Sequence, residues 1–215
     1  WKQNKNIIGD SLSLMMLAPP QLFQHMARAD FIPAVTSALE LELREDEIDA
    51  AFFLLYSLSR SEAQYTQIVA EGILDTIFDK KSDAAFMLLS KLLILRDVCE
   101  RSKEENIIDW AMQKLEQQNA LSNNSKEEEK DNKDNKNDKN DNSNEKGAPV
   151  EEGIKSTSLI TASLLAIANM LSYSDTLIDD DKYQKLFPII WKVVMSNNKD
   201  KIIVSNGYAT LALCA

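Results

Sequence analysis

Asp49-Ala50-Ala51-Phe52-Phe53-Leu54-Leu55-Tyr56-Ser57-Leu58 returns 34 residues later as Asp83-Ala84-Ala85-Phe86-Met87-Leu88-Leu89-Ser90-Lys91-Leu92, with seven of ten positions identical. Both copies are apolar nearly all round and open on an acidic residue, the pattern of a helix sandwiched between neighbours. Self-similarity at a fixed spacing is the mark of a repeat architecture, so these two segments decide how the rest is read. No run shows period-two alternation bounded by turn residues, and short β-branched patches such as Ile202-Ile203-Val204 sit in a helical context. An all-α protein is expected.

Working outward, a second pattern precedes each copy. Asp30-Phe31-Ile32-Pro33, Gly72-Ile73-Leu74-Asp75, Asn106-Ile107-Ile108-Asp109 and Lys185-Leu186-Phe187-Pro188 share a turn residue, two apolar residues and then Pro or Asp. Proline fits a first helical turn, where a missing N–H costs nothing, and aspartate favours the positive end of the helix dipole. Gly72 supplies the backbone freedom for a sharp turn. Helix boundaries are therefore expected near Asp30, Gly72, Asn106 and Lys185, with the helices that follow spanning about 46–60, 83–97, 154–172 and 200–214.

On these residues the chain resembles the armadillo repeat, a unit of about 42 residues with one short and two longer helices. Its signature is a turn glycine followed by two apolar residues, proline and leucine. Asp30 to Gly72 is 42 residues, Ile68-Val69-Ala70-Glu71-Gly72-Ile73-Leu74 is similar to the turn between first and second helices, and Ala166-Ile167-Ala168-Asn169-Met170 to the third-helix asparagine motif. Leu14, Ser57, Lys91 and Asn169 lie 16, 15, 15 and 16 residues before the four turn residues, and Leu213 takes the same place in the last repeat. The resemblance implies a right-handed α-solenoid of about four repeats plus a partial one at the N-terminus. HEAT repeats share the packing with two helices per unit; tetratricopeptide repeats match the 34-residue spacing but lack their Trp-Leu-Gly-Tyr pattern.

The repeats are uneven. From turn residue to the asparagine register there are 27, 19, 63 and 28 residues, so the third repeat carries a long insertion between its second and third helices. Ser122 to Lys146 holds 8 Asn, 6 Lys, 4 Asp, 4 Glu and 3 Ser and no apolar side chain. It cannot bury enough surface to offset the entropy of ordering it. The expected organisation is repeats over 1–121, a disordered low-complexity insert over 122–153, and repeats over 154–215. Because the chain starts without methionine and stops in mid-pattern, it is read as a piece of a longer polypeptide.

Charge and composition narrow the chemistry. With 34 acidic and 24 basic residues the net charge is −10, which disfavours nucleic acid as a partner. None of the five glycines falls in a phosphate-cradling spacing. One histidine, His25, and two cysteines, Cys99 and Cys214, cannot make a Cys/His metal site or a disulfide framework. Glu45-Asp46-Glu47 and Asp179-Asp180-Asp181 lack the glycine and the spacing of a calcium loop. No enzyme, cofactor, metal, small-molecule substrate or membrane insertion is expected, and the compartment is read as cytoplasmic or nuclear.

What the resemblance implies for function is a concave wall of third helices that binds a partner or client protein. In the family, asparagines there clamp the partner's backbone, with tryptophans one turn earlier. Here the asparagine register holds Ser57, Lys91 and Asn169, and the position one turn earlier holds Phe53, Met87 and Leu165, so these six are the candidate partner-binding residues. Only Asn169 keeps the asparagine, which speaks against import-signal binding and for an adaptor or chaperone-like scaffold. The alternatives are a structural spacer within a large complex and a helical regulatory domain of a larger enzyme.

Overall fold

The computed structural model describes residues 8–12, 14–15, 25, 31–131, 149–173 and 180–214, with 121–131, 149–157 and 180–183 described by backbone alone. Among the described residues every regular element is helical and there is no strand. After a short helical stretch at 8–12 come α1 (Phe31–Leu39), α2 (Glu45–Leu58), α3 (Glu62–Ala70), α4 (Ile73–Lys80), α5 (Asp83–Leu92) and α6 (Arg96–Ser102). They are followed by α7 (Ile107–Asp131), α8 (Pro149–Ser172), α9 (Asp180–Ser196) and α10 (Lys201–Leu213).

The helices form two compact units, Trp1–Glu105 and Asn106–Ala215. In the first, the repeated segments themselves make the spine: α2 lies against α5, α1 pairs with α2, α4 pairs with α5, and α3 touches α1, α4 and α5. In the second, α7 pairs with α8 and α9 with α10, while α7 lies beside α9 and α8 beside α10. The division between units thus falls before α7 and not at the low-complexity tract, because α7 and α8, on either side of that tract, pack on each other. Its edges, 122–131 and 149–153, are helical continuations of α7 and α8; residues 132–148 lie outside the described residues. Lys and Glu are good helix formers and propagation from an existing helix needs no new nucleus, which carries α7 ten residues into the tract.

Local chemistry explains where the helices begin. Glu47 is buried and its Oε2 accepts from the Arg44 N–H at 2.8 Å, closing the first turn of α2. Ser61, Ser82 and Asp200 cap α3, α5 and α10 through their side-chain oxygens. Two of the four turn residues of the sequence register are left-handed, Gly72 with φ +78° and Asn106 with φ +52°, where glycine is free and asparagine is tolerated; Asp30 lies outside the described residues. Three boundaries differ from expectation, the first being the start of α8 at Pro149 instead of 154. Helix α5 stops at Leu92 instead of running to 97, and the chain turns through Leu93 to Leu95 into α6, with the Cys99 thiol donating to the Leu93 carbonyl. Helix α9 starts at Asp180, ahead of Lys185, so Pro188 lies inside it; the acidic pair Asp180-Asp181 is a better dipole partner for a helix start than Lys185.

Packing repeats with the register. Six residues before Ser57, Lys91, Asn169 and Leu213 stand Ala51, Ala85, Ser163 and Gly207, all small and all buried. The reason is visible at Gly207, where an added Cβ would sit 2.2 Å from Cγ2 of Val194 on α9. One residue on, Phe52, Phe86 and Leu164 are fully buried and fill the core between neighbouring helices.

Candidate functional site

The six residues singled out in the sequence divide between the two units. In the first, Phe53 and Ser57 on α2 are half-buried, and the Phe53 ring lies 6.3 Å from that of Tyr56. Met87 on α5 is only 8% exposed and belongs to the core. A helix that is apolar all round buries whichever of its side chains its neighbours cover, so register alone does not make Met87 a surface residue.

Lys91 is half-buried and points its charge inward to the chain. Its Nζ donates to the carbonyls of Tyr56 at 2.6 Å and Ser59 at 3.0 Å, and lies 3.9 Å from the centroid of the Tyr56 ring. It therefore ties α5 to the C-terminal end of α2, where a cation meets the negative end of the helix dipole and the face of an aromatic ring. Burial, with help from Arg60, brings this ammonium down to about 8.

That shift has a signed consequence. The unfolded chain holds the lysine proton up to the ordinary value of 10.5, so stability at this position rises with pH from about 8 upward. Cys99 acts the opposite way: burial pushes its thiol up to about 11 from 9.0, so stability falls above the ordinary thiol value. Comparing the protein with its Lys91→Met variant cancels the Cys99 contribution. The melting temperature of the wild type should gain on that of the variant between about pH 7.5 and 9.5, and a difference that stays flat across this range would show that Lys91 keeps its proton on folding.

In the second unit, Leu165 on α8 is 36% exposed and Asn169, one turn later, is half-buried. Ala209 on α10 is exposed, as is Leu213. The pair Leu165 and Asn169 thus repeats on α8 what Phe53 and Ser57 make on α2: an apolar side chain and a hydrogen-bonding one, four residues apart, on the same side of the helix. His25 is exposed. Among the described residues, no group of three His, Cys, Asp or Glu could hold a metal ion, and no helix is long and apolar enough to cross a membrane.

A cluster that the sequence reading missed lies on α9 and α10. Phe187 and Trp191 stack with centroids 6.3 Å apart, and Tyr208 meets Trp191 edge-on at 6.5 Å. All three are open to solvent, at 49%, 43% and 49%, and Met195 continues the strip along α9. Their register makes this unusual. Tyr208 stands where Phe52, Phe86 and Leu164 are fully buried, and Phe187 where Ile32, Leu74 and Ile108 are buried. Leu164 shows which way that position faces: its Cδ1 lies 4.0 Å from where a Cβ on Gly207 would sit, so its side chain looks toward α10. The clue available in the sequence was Phe187, an aromatic residue at a position held by Ile32, Leu74 and Ile108 elsewhere.

Compared with protein-family models, curated proteins and solved structures, the chain finds no match in any of the three.

Proposed function

We propose that the chain is a set of armadillo-type helical repeats acting as a non-catalytic protein-interaction scaffold, adaptor or chaperone-like, with the partner received on the third helices. The helix order supports the repeat reading: α1 and α2, α4 and α5, α7 and α8, and α9 and α10 serve as second and third helices, and α3 and α6 as the short first ones. So do the two left-handed turn residues and the small buried position of every third helix.

The observation that carries the binding role is the recurrent pair, Phe53 with Ser57 and Leu165 with Asn169, which keeps apolar and polar surface open on a helix whose other faces are core. Large apolar side chains beside a hydrogen-bonding group are what a docked peptide or helix needs from a surface. Photo-cross-linking tests it: a benzophenone amino acid placed at 53 or at 165 should give adducts with one shared protein, and the same probe at exposed Thr66 or Lys103 should not. Adducts that are equal at all four positions, or absent at 53 and 165, would remove the third-helix face.

A second reading has its own observation. The aromatic cluster of α9 and α10 stands at positions that are buried against a neighbouring helix elsewhere, and contiguous exposed aromatic surface marks a docking face. On this reading the chain is a structural member of a larger assembly, fixed through Phe187, Trp191 and Tyr208.

A further inference from the structure

Helices α7 and α9 lie side by side in the second unit and leave an open groove in two adjoining parts, of about 430 and 320 Å³, which share Glu116, Pro188 and Ile189. The smaller part is lined by Asn119, 4% exposed, whose Oδ1 is buried and has no hydrogen-bond partner. Buried polar groups are almost always satisfied, so an orphaned one asks for an explanation.

Its neighbours in kind show why the chain cannot supply one. Buried Thr36, Ser90, Ser163 and Thr210 each donate a hydroxyl hydrogen to a carbonyl of their own helix. An amide oxygen can only accept, and the N–H groups of a helix interior are already given to carbonyls four residues back. On the facing wall Pro188 has no N–H to give. The groove therefore holds one acceptor that the chain leaves unanswered, and it suits a ligand that brings an N–H group.

Charge selects among such ligands. Asp109 and Glu116 on α7 face Lys185 and Lys192 on α9 around the two parts, so the lining is balanced and gives no preference to a cation. Between these charges the wall is apolar, with Ile189 half-buried and Leu115 and Val193 buried. A neutral donor with an apolar side chain fits both features. We propose that the α7–α9 groove binds an extended peptide segment of a partner protein, a backbone N–H of the peptide going to Asn119 Oδ1 and an apolar side chain resting on Ile189. This site lies on second helices, apart from the third-helix face, and stands or falls independently of it.

The test uses the full chain, labelled on Ile and Val methyls and on Asn side-chain amides, titrated with acetyl-Ala-Leu-Ala-N-methylamide. Saturable NMR shifts are expected at Ile189, Val193 and the Asn119 amide. The same peptide with every backbone nitrogen methylated should bind at least about tenfold more weakly, because it has no N–H to give. Asn119→Leu should lose about tenfold in affinity for the unmethylated peptide while its Tm rises, since the substitution removes an unpartnered buried oxygen. Absent or unsaturable shifts in the wild type, or equal binding of the methylated peptide, would overturn the proposal. So would a fall in Tm for Asn119→Leu, which would mean that the oxygen is satisfied by its own chain.

Discussion

Phe86→Ala is expected to destabilise the first unit by about 3–5 kcal/mol, whereas Tyr208→Ala, at the same register position, should cost the second unit less than about 1 kcal/mol. Phe86 is fully buried between helices, and truncating it leaves both lost transfer energy and a cavity that rigid neighbours cannot close. Tyr208 is half-exposed and its ring meets the similarly open Trp191 edge-on, so its removal empties little enclosed space. A domain is stable by about 5–15 kcal/mol in all, so the first variant should show a large loss in denaturant midpoint and the second almost none. Equal losses would mean that Tyr208 is covered, and the aromatic cluster would no longer be an open face. A docked partner would produce the same levelling only in its presence, which separates the two cases.

The second large effect belongs to the small buried position shared by α2, α5, α8 and α10. Gly207→Leu should unfold or severely destabilise the second unit, because even the first carbon of a side chain at 207 would lie 2.2 Å from Val194 Cγ2. Valine is β-branched and stiff at χ1, so α9 must move bodily to admit a larger residue. Overpacking of a well-filled core costs about 1–3 kcal/mol and more where whole helices separate. Glycine in mid-helix costs about 1 kcal/mol relative to alanine, a penalty accepted here for the close approach of α9 and α10. Ala85→Leu tests the same requirement in the first unit. Circular dichroism melts of both variants decide it: near-wild-type midpoints would show that the small residues are incidental to the helix crossings.

These contrasts bear on how far the residues could be read without coordinates. The repeated Asp49 to Leu58 segment announced a buried helix, and α2 and α5 are such helices, lying against each other. The left-handed turns at Gly72 and Asn106, and the starts of α2 and α5, follow from side chains within a few residues of each boundary. Caps, dipoles and turn preferences act over one helical turn, which is why spacing alone located them. The start of α9 was missed because Pro188 is a good first-turn residue that is also tolerated in the interior, and the acidic residues before it prevailed.

The candidate site was less legible. The register placed Phe53 and Met87 together, and Ser57 with Lys91, yet Met87 is core and Lys91 binds the end of α2. Nor could any local pattern show that Asn119 lacks a partner, since that depends on what α9 brings to the facing wall. By itself the sequence determined the repeated helix and the turns at Gly72 and Asn106, set by interactions within a turn or two of chain. Only the tertiary structure decided which copy of an equivalent position is covered: Phe52, Phe86 and Leu164 have a helix over them, whereas Tyr208 is open to solvent. Burial is a property of the neighbour that arrives, and neighbours distant in the chain leave no mark on the residues they cover.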